Sequence, residues 1–298
     1  MCTTIRLWLL PLLLLSQAAL AQTVVKNNQS LAPDTPEAWA MRYFAGTTLM
    51  TSFGETTNRA PWRLNVALDV GSIPHLSDAQ QRVGFGGFKN EDLNKSPVIG
   101  RLRLTLGLPY DSVAELGYTP PLEINGSRPR NLVALAIGKR LAETDQFTFS
   151  MRALGQFGTV QGDITCPARL TGVTDPGQNP YGCQAPSQDI FTTNYYGIDA
   201  TLGRDAGDWK LYASAGIART QLSVHVNALV FTSNDRSRLT SNDNLPWFTI
   251  GVRHDFNSQW GLAAELLYVP LDVRRPPSFA LDKDPLTSVR VQLRYSAD

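Results

Sequence analysis

From Trp62 to Tyr295 the sequence alternates with a period of two, one phase apolar and the other carrying small residues and charges. Successive side chains of a β-strand point to opposite faces, so this pattern describes strands whose two faces meet unlike surroundings. In Arg101-Leu102-Arg103-Leu104-Thr105-Leu106-Gly107-Leu108, four leucines share one face, and two arginines, a threonine and a glycine share the other. A soluble sandwich would bury the leucines and hydrate the arginines. A transmembrane barrel would turn the leucines to lipid and enclose the arginines.

The amino-terminal residues set the compartment. Arg6 precedes an apolar run from Leu7 to Leu15, and Ala18-Ala19-Leu20-Ala21 then offers a small-residue cleavage site, so residues 1–21 read as a Sec-type signal peptide. Cys2 leaves with that peptide, and Cys166 and Cys183 remain as the expected disulfide of an exported chain. Two cysteines with no histidine nearby make no metal site, and no cofactor is expected. Without Arg6 the 27 basic residues become 26, equal to the 26 acidic ones, which argues against a nucleic-acid partner. Beyond residue 21 no apolar stretch is long enough for a transmembrane helix. A membrane location would therefore require strands closed into a barrel, because lipid offers no partner for backbone groups.

The alternation resolves into ten strands, near 62–73, 98–109, 111–120, 130–141, 145–160, 194–203, 208–222, 246–255, 259–270 and 287–296. The links between them alternate long and short: 74–97 is long, Tyr110 short, 121–129 medium, 142–144 short and 162–193 long. Then 204–207 is short, 223–246 long, 257–258 short and 271–287 long. Up-and-down bacterial barrels show this parity, with short periplasmic turns and long outer loops; Greek-key sandwiches have no reason to keep it. The fold expected is all-β, an up-and-down antiparallel transmembrane barrel of about ten strands with both ends on the periplasmic side. In residues 22–59, Thr35-Pro36-Glu37 starts a short capped helix that either plugs the lumen or lies at the periplasmic mouth. The alternative makes Met41–Phe53 another strand, which with a second missed strand brings the total to twelve. The barrel proper occupies 60–298. A second short helix is expected over Ser77–Val83 in the first outer loop, and Asn125-Gly126-Ser127 reads as a turn.

The apolar phase includes Trp62, Leu64, Val66 and Leu68; Phe147, Phe149 and Met151; Trp209 and Leu211; and Val289, Val291, Leu293 and Tyr295. Trp62, Trp209, Trp260, Tyr268 and Tyr295 sit at strand ends, where an interfacial girdle belongs. The opposite phase supplies the candidate lumen lining: basic Arg63, Arg101, Arg103, Arg152, Lys210, Arg253, Arg290 and Arg294, acidic Asp69, Glu115, Asp199 and Glu265. Eight positive against four negative groups either pair inside a closed interior or form a constriction that favours a small anionic solute.

From Trp62 to the carboxyl end the chain resembles small Gram-negative outer-membrane β-barrel proteins of about eight to twelve strands. The class commonly ends in an aromatic residue that helps the assembly machinery; here Tyr295 is followed by Ser296-Ala297-Asp298. The resemblance implies an outer-membrane location, contact with membrane lipid and barrel-assembly machinery, and either a structural or interaction role or a small passive pore. The long outer loops could bind a surface ligand. Two other classes compete: a secreted, soluble β-sandwich binding module and an outer-membrane barrel hydrolase. A hydrolase needs a nucleophile or paired acids with a histidine near the rim. After residue 21 the chain has His75, His225 and His254, of which only His225, beside Ser223, invites that guess. No catalytic residues are assigned and no enzyme activity is expected.

Overall fold

The computed structural model describes residues 23–54 and 61–296. The expected signal peptide lies outside the described residues. The barrel comprises β1 (Leu64–Ser72), β2 (Val98–Leu108), β3 (Ser112–Thr119), β4 (Arg128–Glu143) and β5 (Phe147–Gly162). It continues through β6 (Asp189–Ala206), β7 (Trp209–His225), β8 (Asn244–Asp255), β9 (Trp260–Val269) and β10 (Leu286–Ser296). Each strand pairs antiparallel with its neighbours in sequence. The ring closes where β10 meets β1, from Arg290 opposite Gly71 to Ser296 opposite Asn65. A closed ring of ten strands rules out the two-sheet sandwich, and the loop parity holds around it.

The outward face is apolar. Leu64, Val66, Leu68, Leu102, Leu104, Ile137, Ile198, Leu211, Ile250 and Val289 are all exposed, in a belt far larger than a soluble monomer shows to water. Such a belt around a closed barrel fits lipid, and the protein is an integral outer-membrane-type β-barrel. Among the described residues no helix is long and apolar enough to cross a membrane. Near the short turns Trp209 stacks on His254 with ring centroids 4.5 Å apart, and Trp260 lies 5.0 Å from Tyr295. At the other edge Tyr118, Tyr196, Phe248 and Tyr268 face outward.

Local chemistry explains the irregular parts. Asn125 and Gly126 have φ of 47° and 77° between paired Ile124 and Ser127, the left-handed pair that an Asn-Gly hairpin turn requires. Ser77 and Gln80 form a capping box for a one-turn helix, Asp78–Gln81. The register of β4 against β5 slips between Arg130 and Val133. There Gly158 has φ of 136°, and a Cβ on it would stand 2.3 Å from the Asn131 carbonyl oxygen.

The amino-terminal segment bears on three of the sequence expectations. Met41–Phe53 is not a strand: α1 (Pro36–Thr47) is helical, with Thr35 accepting the Ala38 N–H at its start, and Thr48–Gly54 follows as irregular chain. Every wall strand is already paired on both edges, so nothing inside the barrel could hydrogen-bond another strand. Nor does the helix lie at the periplasmic mouth. Trp39 Nε1 donates to the Asp284 carbonyl at 2.9 Å, Tyr43 Oη to that of Pro74 at 3.2 Å, and Arg42 pairs with Asp243 at 3.0 Å. All three partners belong to long loops, so α1 hangs from the outer end. Its residues Ala38, Trp39, Ala40, Met41, Tyr43 and Ala45 are buried all round, as a helix sunk in a core must be. Chain ends on the periplasmic side were expected as well. The barrel strands begin and end at the short-turn end, but the described amino-terminal residues lie at the long-loop end, where Thr23–Val25 and Asn28–Ser30 pair with Ser233–Asp235 and Arg238–Thr240.

Cys166 and Cys183 form the disulfide, 17 residues apart. The bonded pair is buried against Ala228, Leu170, Val226 and Val230, and Cys183 pairs with Val230 of the neighbouring loop. On the loop-entropy model a closure of this length is worth about 3 kcal/mol. Replacing both cysteines by serine is expected to speed proteolytic nicking within 163–188 at least tenfold while the barrel keeps its heat-modifiable gel migration. Equal nicking rates in reduced, mutant and native protein would contradict this.

Candidate functional site

The inward face of the barrel is organised around the six consecutive carbonyls of Gly46 to Thr51. The last carbonyls of a helix lack intrahelical donors, and those of irregular chain have none of their own. Inside a membrane barrel water cannot supply them freely. Four arginines do so instead. Arg290 donates to Gly46 at 2.9 Å, Thr47 at 3.0 Å and Leu49 at 2.6 Å. Arg101 donates to Thr48 at 2.7 Å, Arg152 to Met50 at 3.0 Å and Arg103 to Thr51 at 2.9 Å. The planar fork of a guanidinium suits the task, since one side chain can serve several acceptors. The positive charge at the end of α1 is also where the helix dipole favours it.

Neutral groups complete the lock. The Met50 N–H donates to Tyr195 Oη at 3.0 Å, and Gln156 Nε2 to Thr48 Oγ1 at 2.8 Å. Ser52 Oγ lies 3.1 Å from Ser214 Oγ and accepts from Thr201 at 3.0 Å. Thr51 donates to Glu265, which also accepts from Tyr212.

The same arginines carry the charge balance. Arg103 bridges Asp69 and Glu115, each at 2.7 Å; Arg152 bridges Glu115 at 2.9 Å and Asp199 at 2.6 Å. The result is a chain Asp69–Arg103–Glu115–Arg152–Asp199 across β1, β2, β3, β5 and β6. Arg101 and Arg290 bind carbonyls and Gln156 rather than carboxylates. With Glu265, this middle layer holds four arginines and four acids, all buried.

The other sequence-derived candidates lie elsewhere. Arg253 and Arg294, near the short turns, share Asp255 at 3.1 and 2.7 Å. Lys210 is half-exposed 3.6 Å from Asp205, and Arg63 is exposed ahead of β1. The basic excess of the inward phase therefore sits at the periplasmic end, where Asp205 and Asp255, absent from the sequence-derived set, meet it. The gap bounded by Thr47, Leu49, Asp69, Arg101, Arg103 and Arg290 has a volume of about 20 Å³, room for about one water.

Gln156 and Tyr212 fall on the inward phase of the alternation, whereas Tyr195 and the run Thr47-Thr48-Leu49-Met50-Thr51-Ser52 carry no sequence mark of belonging to the same site. A signal existed in the inward glycines. Gly138 stands opposite Arg152, and Gly251 opposite Tyr212. A Cβ on Gly138 would lie 2.8 Å from Arg152 Cγ, and one on Gly251 2.4 Å from the Tyr212 ring. Glycine opposite these two long inward side chains gives them the room they pack into.

The histidines form no common site. His225 faces Arg238 across the ladder, and His254 Nδ1 sits 2.9 Å from the Asp208 carbonyl at a short turn. Among the described residues no group of His, Cys, Asp and Glu could hold a metal ion.

No known protein family matches this chain, and no curated protein does. Among solved structures, it is similar to the outer membrane protease OmpT of Escherichia coli, with 9% identity over 82% of this chain and 98% of that one and a TM-score of 0.40. It is similar also to the toluene transporter TodX of Pseudomonas putida (10% identity, 92% and 99% covered, TM-score 0.33). Ail, the attachment invasion locus protein of Yersinia pestis, is a third (9% identity, 80% and 100% covered, TM-score 0.30). No activity is carried over from any of them.

Arg290→Met would remove the donor that the Thr47 and Leu49 carbonyls share and leave the Gly46 carbonyl only the Leu49 N–H, 3.2 Å away. Its unfolding free energy in urea is expected to fall by about 3 to 5 kcal/mol, the range for breaking a buried charged contact. Arg290→Lys keeps the charge but not the fork, and should lose less. Midpoints for both variants equal to that of the native protein would refute the role given to this side chain.

Proposed function

We propose that this protein is a closed outer-membrane anchor, its lumen filled by residues 36–54, whose function is carried by the crown of outer loops and not by passage of solute. The observation that carries this reading is the engagement of all six carbonyls from Gly46 to Thr51 by four buried arginines. An anion filter needs arginines with donors turned toward the solute. Here each of the four arginines directs terminal donors to the chain's own backbone, and Arg103 and Arg152 direct others to carboxylates. The gap beside Arg101, Arg103 and Arg290 has a volume of about 20 Å³, room for about one water.

A loop crown tied by a disulfide suits interaction. The crown is ordered by the Cys166–Cys183 bond and by Lys89, which reaches both Glu91 and the Thr165 carbonyl from the first loop to the third at 2.8 Å. The partner we assign to it is a surface ligand, with membrane lipid around the belt and barrel-assembly machinery acting during insertion. What supports a non-catalytic role is the separation of the three histidines, which lie in a long loop, at the top of β7 and at a short turn.

Purified folded protein in planar bilayers is expected to show no channel events. A variant lacking residues 36–54, verified as folded by heat-modifiable migration, is expected to conduct, because the wall arginines then face water. Steady openings of the intact protein would overturn the closed-anchor reading.

A further inference from the structure

The path of the chain carries a consequence for what the cell displays. Thr23–Val25 runs parallel to Ser233–Asp235, and Asn28–Ser30 runs parallel to Arg238–Thr240, which in turn pairs with the top of β7. The Leu31 N–H donates to the Thr240 carbonyl at 2.8 Å, and the Asn27 N–H to Ser237 Oγ at 3.0 Å. These partners all lie in the long loop between β7 and β8. From there the chain descends. Asp34 pairs with Arg274 of another long loop at 2.7 Å, α1 enters the lumen, and contacts pass in order from Arg290 through Arg152 to Ser214 and Tyr212 at Ser52 and Gly54. At Trp62 the chain is at the short-turn end, where its N–H donates to the Gly107 carbonyl beside the 109–111 turn.

We infer that the barrel is threaded by its own chain and holds residues 23–30 on the outer surface of the membrane, as a displayed segment. The inference rests on the filled-lumen reading above and goes beyond it, since a plug could equally well enter from the periplasmic mouth and leave nothing outside. Val24 and Val25 are 55% and 44% exposed, and all of Thr23–Val25 and Asn28–Ser30 is exposed, so the segment lies on the crown rather than beneath it. It contributes backbone to pairings with two segments of the loop between β7 and β8.

The test uses three single-cysteine additions to the full chain, each checked for folding by heat-modifiable migration: Val24→Cys, Ser278→Cys in the loop between β9 and β10, and Ser258→Cys in the short turn between β8 and β9. All three positions are exposed, and the native cysteines are already bonded to each other. The probe is a polymer-coupled maleimide too large to cross the outer membrane, applied to intact and permeabilised cells. Display predicts that Val24→Cys and Ser278→Cys label on intact cells and Ser258→Cys only after permeabilisation. Labelling of Val24→Cys together with Ser258→Cys, only after permeabilisation, would overturn threading while leaving a plugged, non-conducting barrel intact. Labelling of Ser258→Cys alone on intact cells would overturn the orientation and the display together.

Discussion

Guanidinium groups on the barrel wall, donating to backbone carbonyls of a segment in the lumen, are the contact on which the rest of this structure depends. A narrow membrane barrel with inward charges faces two costs at once: its ions must be paired or hydrated, and any chain placed inside must have its polar backbone satisfied. The lumen meets both with the same side chains. Arg103 and Arg152 each hold two carboxylates and a carbonyl, and Arg290 holds three carbonyls at the C-terminal end of α1. The segment needs the wall for its donors. The wall needs the segment to fill the space that would otherwise leave four arginines and four acids facing each other across a void.

The same arrangement separates the lumen into layers. Toward the outer loops the interior is apolar, with Trp39, Met41, Leu49 and Met50 packed against Tyr195, Leu222, Leu245, Trp247 and Leu267. Below it lies the charged layer, and near the short turns Asp255 holds Arg253 and Arg294. An apolar layer above a charged one fixes how deep the helix sits, because moving Gly46–Thr51 out of the arginine layer would strand carbonyls among leucines and the tryptophan.

Most of the wall could be read from residues alone. Arg101 to Leu108 already shows which side chains face lipid, and the loop lengths give the direction of each strand. The strands β4 to β7 run longer than their apolar stretch. Beyond Tyr196 and Ile217 their outward residues are Asn194, Thr192, Arg219 and Gln221, which suit water, so a pattern that follows apolar residues stops at the membrane while the hydrogen-bond ladder continues. The contents of the lumen were harder. Alternation reports that Arg103 and Asp69 point inward but not what stands between them, and Thr48–Gly54 has no period, since its conformation is dictated by wall donors distant in sequence. Thr35, Pro36 and Glu37 mark where α1 begins. Nothing in them says which end of the barrel it enters, because that is decided by Asp243, Pro74 and Asp284, far along the chain.

Thr48–Gly54 lies inside the closed ring against β6 and β7. Ser52 Oγ and Ser214 Oγ are 3.1 Å apart, which makes the pair Ser52→Cys and Ser214→Cys the most direct probe. In protein taken from the membrane under oxidising conditions, mass spectrometry should find the two peptides joined by a disulfide, with neither thiol open to a small maleimide. Both thiols free and readily labelled in folded, heat-modifiable protein would contradict the account.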